Sequence, residues 1–243
     1  MSPSPIDSPA PWRAVLAKNL RHVRSRIETA ARSVSRDPAE ITLVAVTKHV
    51  LPPVARALWE LGQLELGENR VTPLLAKVAA LPDTSIRWHY LGHLQRNKVR
   101  RLLPLIGTLH SLDSARLVEV LADAGPPPGF EAYLQVKWTD EPGKTGLAAE
   151  EVPAILELAH RRDLRIAGLM SMGVHADPER TARIFGCTAE LARELEGSFK
   201  GPPRLSMGMS GDLELAIRHG AHVVRVGSDL IAGMDLESSG TNA

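Results

Sequence analysis

Short runs of β-branched and aliphatic residues alternate with amphipathic stretches eight times along the chain, and no other feature narrows the possible folds as far. The runs lie at residues 41–47, 63–66, 86–91, 108–111, 130–136, 164–170, 204–206 and 222–226. Ahead of the first, Trp12, Leu16, Leu20, Val23 and Ile27 recur at helical spacing opposite Arg13, Lys18, Arg21 and Arg24, which predicts an amphipathic helix. After Pro52 and Pro53, which suit the first turn of a helix, Val54, Ala57, Leu58 and Leu61 form a second apolar stripe. Further helices are expected through Val71 to Val78, near Asn97 to Leu103, over Ala115 to Ala122, Val152 to Ala159, Ile184 to Leu195 and Leu213 to Ile217. Strict βα alternation implies a parallel sheet covered by helices. Eight such units in 243 residues predict an α/β chain folded as a single (β/α)8 TIM barrel with an extra N-terminal helix. An open doubly wound sheet usually has a glycine-rich first turn, whereas the first run here continues into Thr47-Lys48-His49.

The expected domain is residues 12–234, with disordered tails at 1–11, which is rich in Pro and Ser, and at 235–243. With 29 Lys plus Arg against 28 Asp plus Glu, the chain has no basic surplus for nucleic acid. No stretch approaches the roughly 20 apolar residues of a membrane span, so no membrane partner is expected. Cys187 is the only cysteine, which excludes an intrachain disulfide and points to the cytoplasm. A monomer is the default expectation.

In a barrel, chemistry belongs to the carboxyl ends of the strands, and phosphate commonly binds after strands seven and eight. Those two ends read Ser206-Met207-Gly208-Met209-Ser210-Gly211 and Gly227-Ser228. Glycines let backbone N–H groups approach an anion, the serines add hydroxyl donors, and a helix start follows each loop. Either loop alone reads equally well as an N-cap at Ser210 or a tight turn at Gly227; two adjacent loops favour a phosphate cup. Lys48 ends the first strand, where partial desolvation would favour a neutral, nucleophilic amine; snorkelling at the strand end is the commoner reading, and Lys137 ends the fifth strand equivalently. Arg225, flanked by Val224 and Val226, requires a fixed partner. His89 and His93 straddle a strand end and Gly92, so no metal site is expected from them. Cys187 and the cluster of Met170, Met172, Met207 and Met209 are read as core. Gly143 to Gly146 lacks the spacing of a P-loop.

The segments LVAVTK at 43–48, LGENR at 66–70, WHYLGHLQRNK at 88–98, LHSLD at 109–113, GLMSM at 168–172, LSMGMSGDLELAI at 205–217 and VRVGSDLIAG at 224–233 together resemble the pyridoxal phosphate homeostasis proteins of the YggS/PROSC type. The resemblance runs from about residue 13 to residue 233 and implies a fold-type III barrel related to the N-terminal barrel of alanine racemases. It implies that Lys48 forms a Schiff base with pyridoxal 5'-phosphate (PLP), the expected cofactor. Ser206, Gly227 and Ser228, with the backbone of Met207, Gly208, Met209 and Ser210, would hold the phosphate. Arg225 would face the pyridine nitrogen, and Asn69 and His89 would lie beside the ring. Ser228 stands where many members have threonine, and His49 and Ala232 also depart from the pattern. The implied role is vitamin B6 homeostasis affecting amino-acid and keto-acid metabolism, with PLP-dependent apoenzymes as partners and no catalytic residue assigned. A racemase would need a second acid/base, in the resembling enzymes a tyrosine from a partner subunit, and this chain offers only Tyr90 and Tyr133, both in expected strands. A PLP-dependent racemase or decarboxylase, and a cofactor-free aldolase built on Lys48, are the rival readings.

Overall fold

All eight apolar runs form strands, and the strands close into one parallel barrel in chain order. The computed structural model describes residues 11–138 and 145–234; the tail expectations for residues 1–10 and 235–243, and Gly143 and Lys144, lie outside them, while Pro11, expected in the tail, opens the first helix. The staves are β1 (Thr42–Val46), β2 (Glu65–Glu68), β3 (Arg87–Tyr90), β4 (Thr108–Leu112), β5 (Glu131–Gln135), β6 (Ile166–Met170), β7 (Arg204–Ser206) and β8 (Val223–Val226). Pairing of Leu43 with Val224 and of Ala45 with Val226 joins β1 to β8 and leaves no free edge. Outside lie α1 (Pro11–Ser33), α2 (Pro52–Glu60), α3 (Val71–Ala80), α4 (Val99–Leu102), α5 (Ala115–Asp123), α6 (Val152–Arg161), α7 (Pro178–Glu194), α8 (Leu213–Arg218) and α9 (Ser228–Ile231). The extra helix α1 buries Trp12, Leu16, Leu20, Val23 and Ile27.

The main hydrophobic core fills the shell between strands and helices, while only Val44, Tyr133, Ala167, Met170 and Val223 form a separate apolar cluster. The polar remainder of the strands starts at the amino end. There, Arg87 pairs with Glu131 at 3.2 Å, Arg204 with Glu131 at 3.8 Å, and Arg204 donates to the Thr42 hydroxyl at 3.0 Å. Most small barrels fill this volume with branched aliphatics, so a polar interior is a departure with consequences for the site.

Four expectations need correction. The second strand covers 65–68 and not 63–66, because the charge at Glu68 is buried against Lys77 of α3. The helix expected near 97–103 shrinks to α4 between two 3-10 turns, since Pro104 has no N–H with which to continue it. Cys187 is exposed on α7, not core. Met172 and Met209 are exposed as well, although Met170 and Met207 are buried as expected.

Candidate functional site

The carboxyl ends of β1, β2, β7 and β8 bring together most of the residues singled out above. Lys48 follows β1 and is exposed, so the expected desolvation of its ammonium is absent. Its carbonyl accepts from Nη2 of Arg70 at 3.2 Å. Beneath it lies a charge pair that sequence reasoning missed. Lys77 Nζ donates to Glu68 Oε2 at 2.5 Å and to the Thr47 carbonyl at 2.6 Å, with side chains only 3% and 0% exposed. The second oxygen of Glu68 accepts the N–H of Asn69 at 2.8 Å and of Arg70 at 3.3 Å. One buried ion pair therefore ties the end of β1 to the end of β2. Burial pushes the Lys77 pKa down, opposed by its carboxylate partner. The signal was present: Lys77 falls three residues after Leu74 on the buried stripe of α3, where a charge needs a partner.

Asn69 follows β2, and its Oδ1 is a buried acceptor with no partner. The crossing of two strand ends places it. A Cβ on Gly92, after β3, would lie 2.0 Å from the Asn69 carbonyl oxygen, so only glycine permits this approach. His93 is exposed and pairs with Asp113 at 2.9 Å, whereas both ring nitrogens of His89 are taken up by His110 and Glu65. Among the described residues no group of three metal-ligating side chains occurs.

The β7–α8 loop turns sharply at Gly208, whose φ of 91° and whose absent Cβ, 2.6 Å from that of Ala216, both demand glycine. Of the four backbone N–H groups expected to face an anion, two are already used. Met207 donates to the Val223 carbonyl at 3.0 Å, and Met209 donates to Asp212 Oδ1 at 2.5 Å. The N–H groups of Gly208, Ser210 and Ser228 take part in none of these loop bonds. Burial raises the pKa of Asp212. The two loops are held together from outside by Arg26 of α1, a second residue missed from the sequence. It donates to the Ser210 carbonyl at 2.9 Å, pairs with Glu214 at 2.6 Å, and also pairs with Asp229. Ser210 Oγ accepts the Asp229 N–H at 3.4 Å. Gly227 is the N-cap of α9, which Ser228 begins.

Ser206 and His89 lie inside the barrel, on one line of hydrogen bonds with Arg225. Ser206 is fully buried, its Oγ 2.8 Å from His110 Nδ1 and 2.6 Å from Arg225 Nη1. His89 is buried in β3 between His110, at 2.8 Å, and Glu65, at 2.5 Å. Arg225 also donates to the Ser171 carbonyl at 3.1 Å, and it forms no ion pair among the described residues. Burial lowers its pKa to about 10, so it stays charged at neutral pH. Tyr133 stacks on His110 with 4.8 Å between ring centroids, and burial lifts its hydroxyl to about 12.

Burial also depresses the pKa of His89 and, further, that of His110, and it takes His222 down to about 4 with help from Arg36 and Arg204. These groups are neutral when folded but titrate near 6.5 when unfolded, so the unfolded chain binds more protons below that pH. Stability is therefore complete above about pH 6.5 and falls on acidification, by up to about 1.4 kcal/mol per pH unit for each proton involved. Denaturant midpoints of the cofactor-free protein between pH 7.5 and 5 check this; a flat profile would contradict the buried neutral histidines.

Comparison with known proteins places the fold in a family. The model of the alanine racemase N-terminal domain matches residues 17–234. A protein of Pseudomonas aeruginosa named pyridoxal phosphate homeostasis protein is 36% identical over 229 residues, covering 91% of this chain and 97% of that one. Its Escherichia coli K12 namesake is 32% identical over 233 residues, covering 90% and 97%. The solved structure of PipY from Synechococcus elongatus with PLP bound superposes with a TM-score of 0.77 at 30% identity, covering 89% of this chain and all of that one. An alanine racemase of Corynebacterium glutamicum, at 15% identity and a TM-score of 0.69, shares the fold over 60% of its length. The chain belongs to the alanine racemase N-terminal domain family and, within it, to the pyridoxal phosphate homeostasis proteins.

Proposed function

We propose that this protein binds PLP, holds it on Lys48 as a Schiff base and acts in PLP homeostasis as a binding protein without turnover of its own. When bound, PLP supplies an aldehyde that condenses with amines and a ring that accepts electrons. The observation that carries the reading is Arg225: a buried cation that makes no salt bridge among the described residues, attracted only from a distance by Asp212 and lying two residues before Gly227, is costly unless an electron-rich ligand faces it. The orphaned Oδ1 of Asn69 and the uncommitted N–H groups of Gly208, Ser210 and Ser228 fit the same ligand.

In this account Lys48 would present the amine that holds the cofactor's aldehyde, and the Lys77–Glu68 pair fixes the backbone from which it projects. The loops after β7 and β8 hold the phosphate. Arg225 would stand by the pyridine nitrogen, where its permanent positive charge would oppose protonation and so weaken the ring as an electron sink. That favours storage over catalysis. Both tyrosines of the chain are buried in strands, which argues against the racemase alternative. The same reading has the protein work in the cytoplasm as a monomer and pass PLP to dependent apoenzymes.

The test compares two ligands on two proteins. Ser228→Ala removes a hydrogen bond to a charged group, so PLP should bind about one to two orders of magnitude more weakly. Pyridoxal, lacking the phosphate, should bind as before. Equal loss for both ligands would mean that Ser228 supports the fold and does not read the phosphate.

A further inference from the structure

Glu65, His89, His110, Ser206 and Arg225 form an unbroken line of side-chain hydrogen bonds across the barrel, contributed by five of its strands. The links are 2.5 Å from Glu65 Oε2 to His89 Nε2, 2.8 Å from His89 Nδ1 to His110 Nε2, 2.8 Å from His110 Nδ1 to Ser206 Oγ, and 2.6 Å from Ser206 Oγ to Arg225 Nη1. His89, His110, Ser206 and Arg225 are buried, and only Glu65 reaches solvent. We propose that this line is a one-way chain of donors, running from Arg225 to Glu65, that fixes both imidazoles as neutral Nε2–H tautomers and makes Glu65, His89, His110 and Ser206 positioning residues for Arg225.

The direction follows from the two ends. A carboxylate only accepts and a guanidinium only donates. His89 must therefore carry its proton on Nε2, facing Glu65; being neutral, it accepts at Nδ1, so His110 donates from Nε2. His110 then accepts at Nδ1, and Ser206 must give it the hydroxyl proton while accepting from Arg225. Each donor along the line then meets an acceptor. The alternative is a charged His89, with His110 donating from Nδ1. Ser206 would then accept twice, and its own proton would have no acceptor in a fully buried place, since its Oγ has no other partner among the described residues.

The surrounding charges agree. Glu65, Arg87 and Glu131 face His89, and Arg225, Arg204 and Arg87 join His89 in facing His110, against which Tyr133 stacks. Burial raises the Glu65 carboxyl, but the His89 hydrogen bond and the nearby arginines outweigh it, leaving a carboxylate. The cations around His110 oppose a second proton there. The chain's bearing on PLP rests on the proposed function, because only there does Arg225 face the ring; its direction does not.

Two measurements test it. In the cofactor-free protein at neutral pH, multiple-bond nitrogen–proton correlation should show His89 and His110 both neutral with the proton on Nε2; a charged ring or an Nδ1–H tautomer at either would overturn the proposal. In the loaded protein, Ser206→Ala should weaken PLP and pyridoxal by the same factor, about tenfold, and shift the pH profile of the bound cofactor's absorbance, because Arg225 acts on the ring. Ser206→Thr, which keeps the hydroxyl, should restore both. A loss confined to PLP would overturn the positioning role and return Ser206 to the phosphate. Should the alanine variant not fold, the threonine variant must still bind as the native protein does, and failure there also counts against the chain. If the native protein binds no PLP at all, the proposed function fails, whereas the tautomers still report on the chain.

Discussion

Lys77→Met should destabilise the protein by about 3 to 5 kcal/mol, because it leaves the Glu68 carboxylate buried without its cation. The same change frees the Thr47 carbonyl that Lys77 now holds, one residue before Lys48. The cost therefore falls on the fold and on the cofactor lysine together. Replacing both partners, Lys77→Met with Glu68→Leu, removes the buried charge as well and should be less damaging than the single change, although the N–H groups of Asn69 and Arg70 lose their acceptor. Denaturant unfolding of the three proteins measures this. A single-variant loss under about 1 kcal/mol would mean that water reaches the pair and that it contributes no more than a surface salt bridge.

The second large effect concerns Lys48. Lys48→Ala should abolish the visible absorbance of the covalently held cofactor, since Lys48 is the one lysine in the loop that joins β1 to α2. Some affinity should persist through the loops after β7 and β8, whose N–H groups do not depend on the amine. Absorbance and equilibrium binding, read on the same samples, separate the two contributions. Survival of the band would show that another amine carries the aldehyde.

The barrel was legible because its signal is carried by period and order. Eight runs with turn residues between them have one economical closure, and the strand bounds shift by no more than two residues. Lys48 and the glycine-serine loops were also legible, since strand ends and glycines mark positions in the chain itself. What escaped was the partner of each buried charge. The cation of Glu68 lies nine residues away on a helix, and nothing in the sequence distinguishes Arg26 from the other arginines of α1 until that helix is packed against the loops of β7 and β8. The hydrogen-bond partners of Ser206 escaped for a related reason. Its neighbours in sequence are phosphate-loop residues, but it is the last residue of β7 and meets His110 from a strand ninety-six residues earlier. Interior polar chemistry depends on register between strands, and register is written in no single segment.

The central claim is that Lys48 is the amine that holds PLP, and borohydride reduction of the loaded protein followed by peptide mapping tests it most directly. Reduction converts the imine to a stable secondary amine that survives digestion. The account requires the modified residue to be Lys48, at one equivalent per chain. A label on Lys137, Lys144 or Lys77, or PLP fully released after reduction, would contradict it.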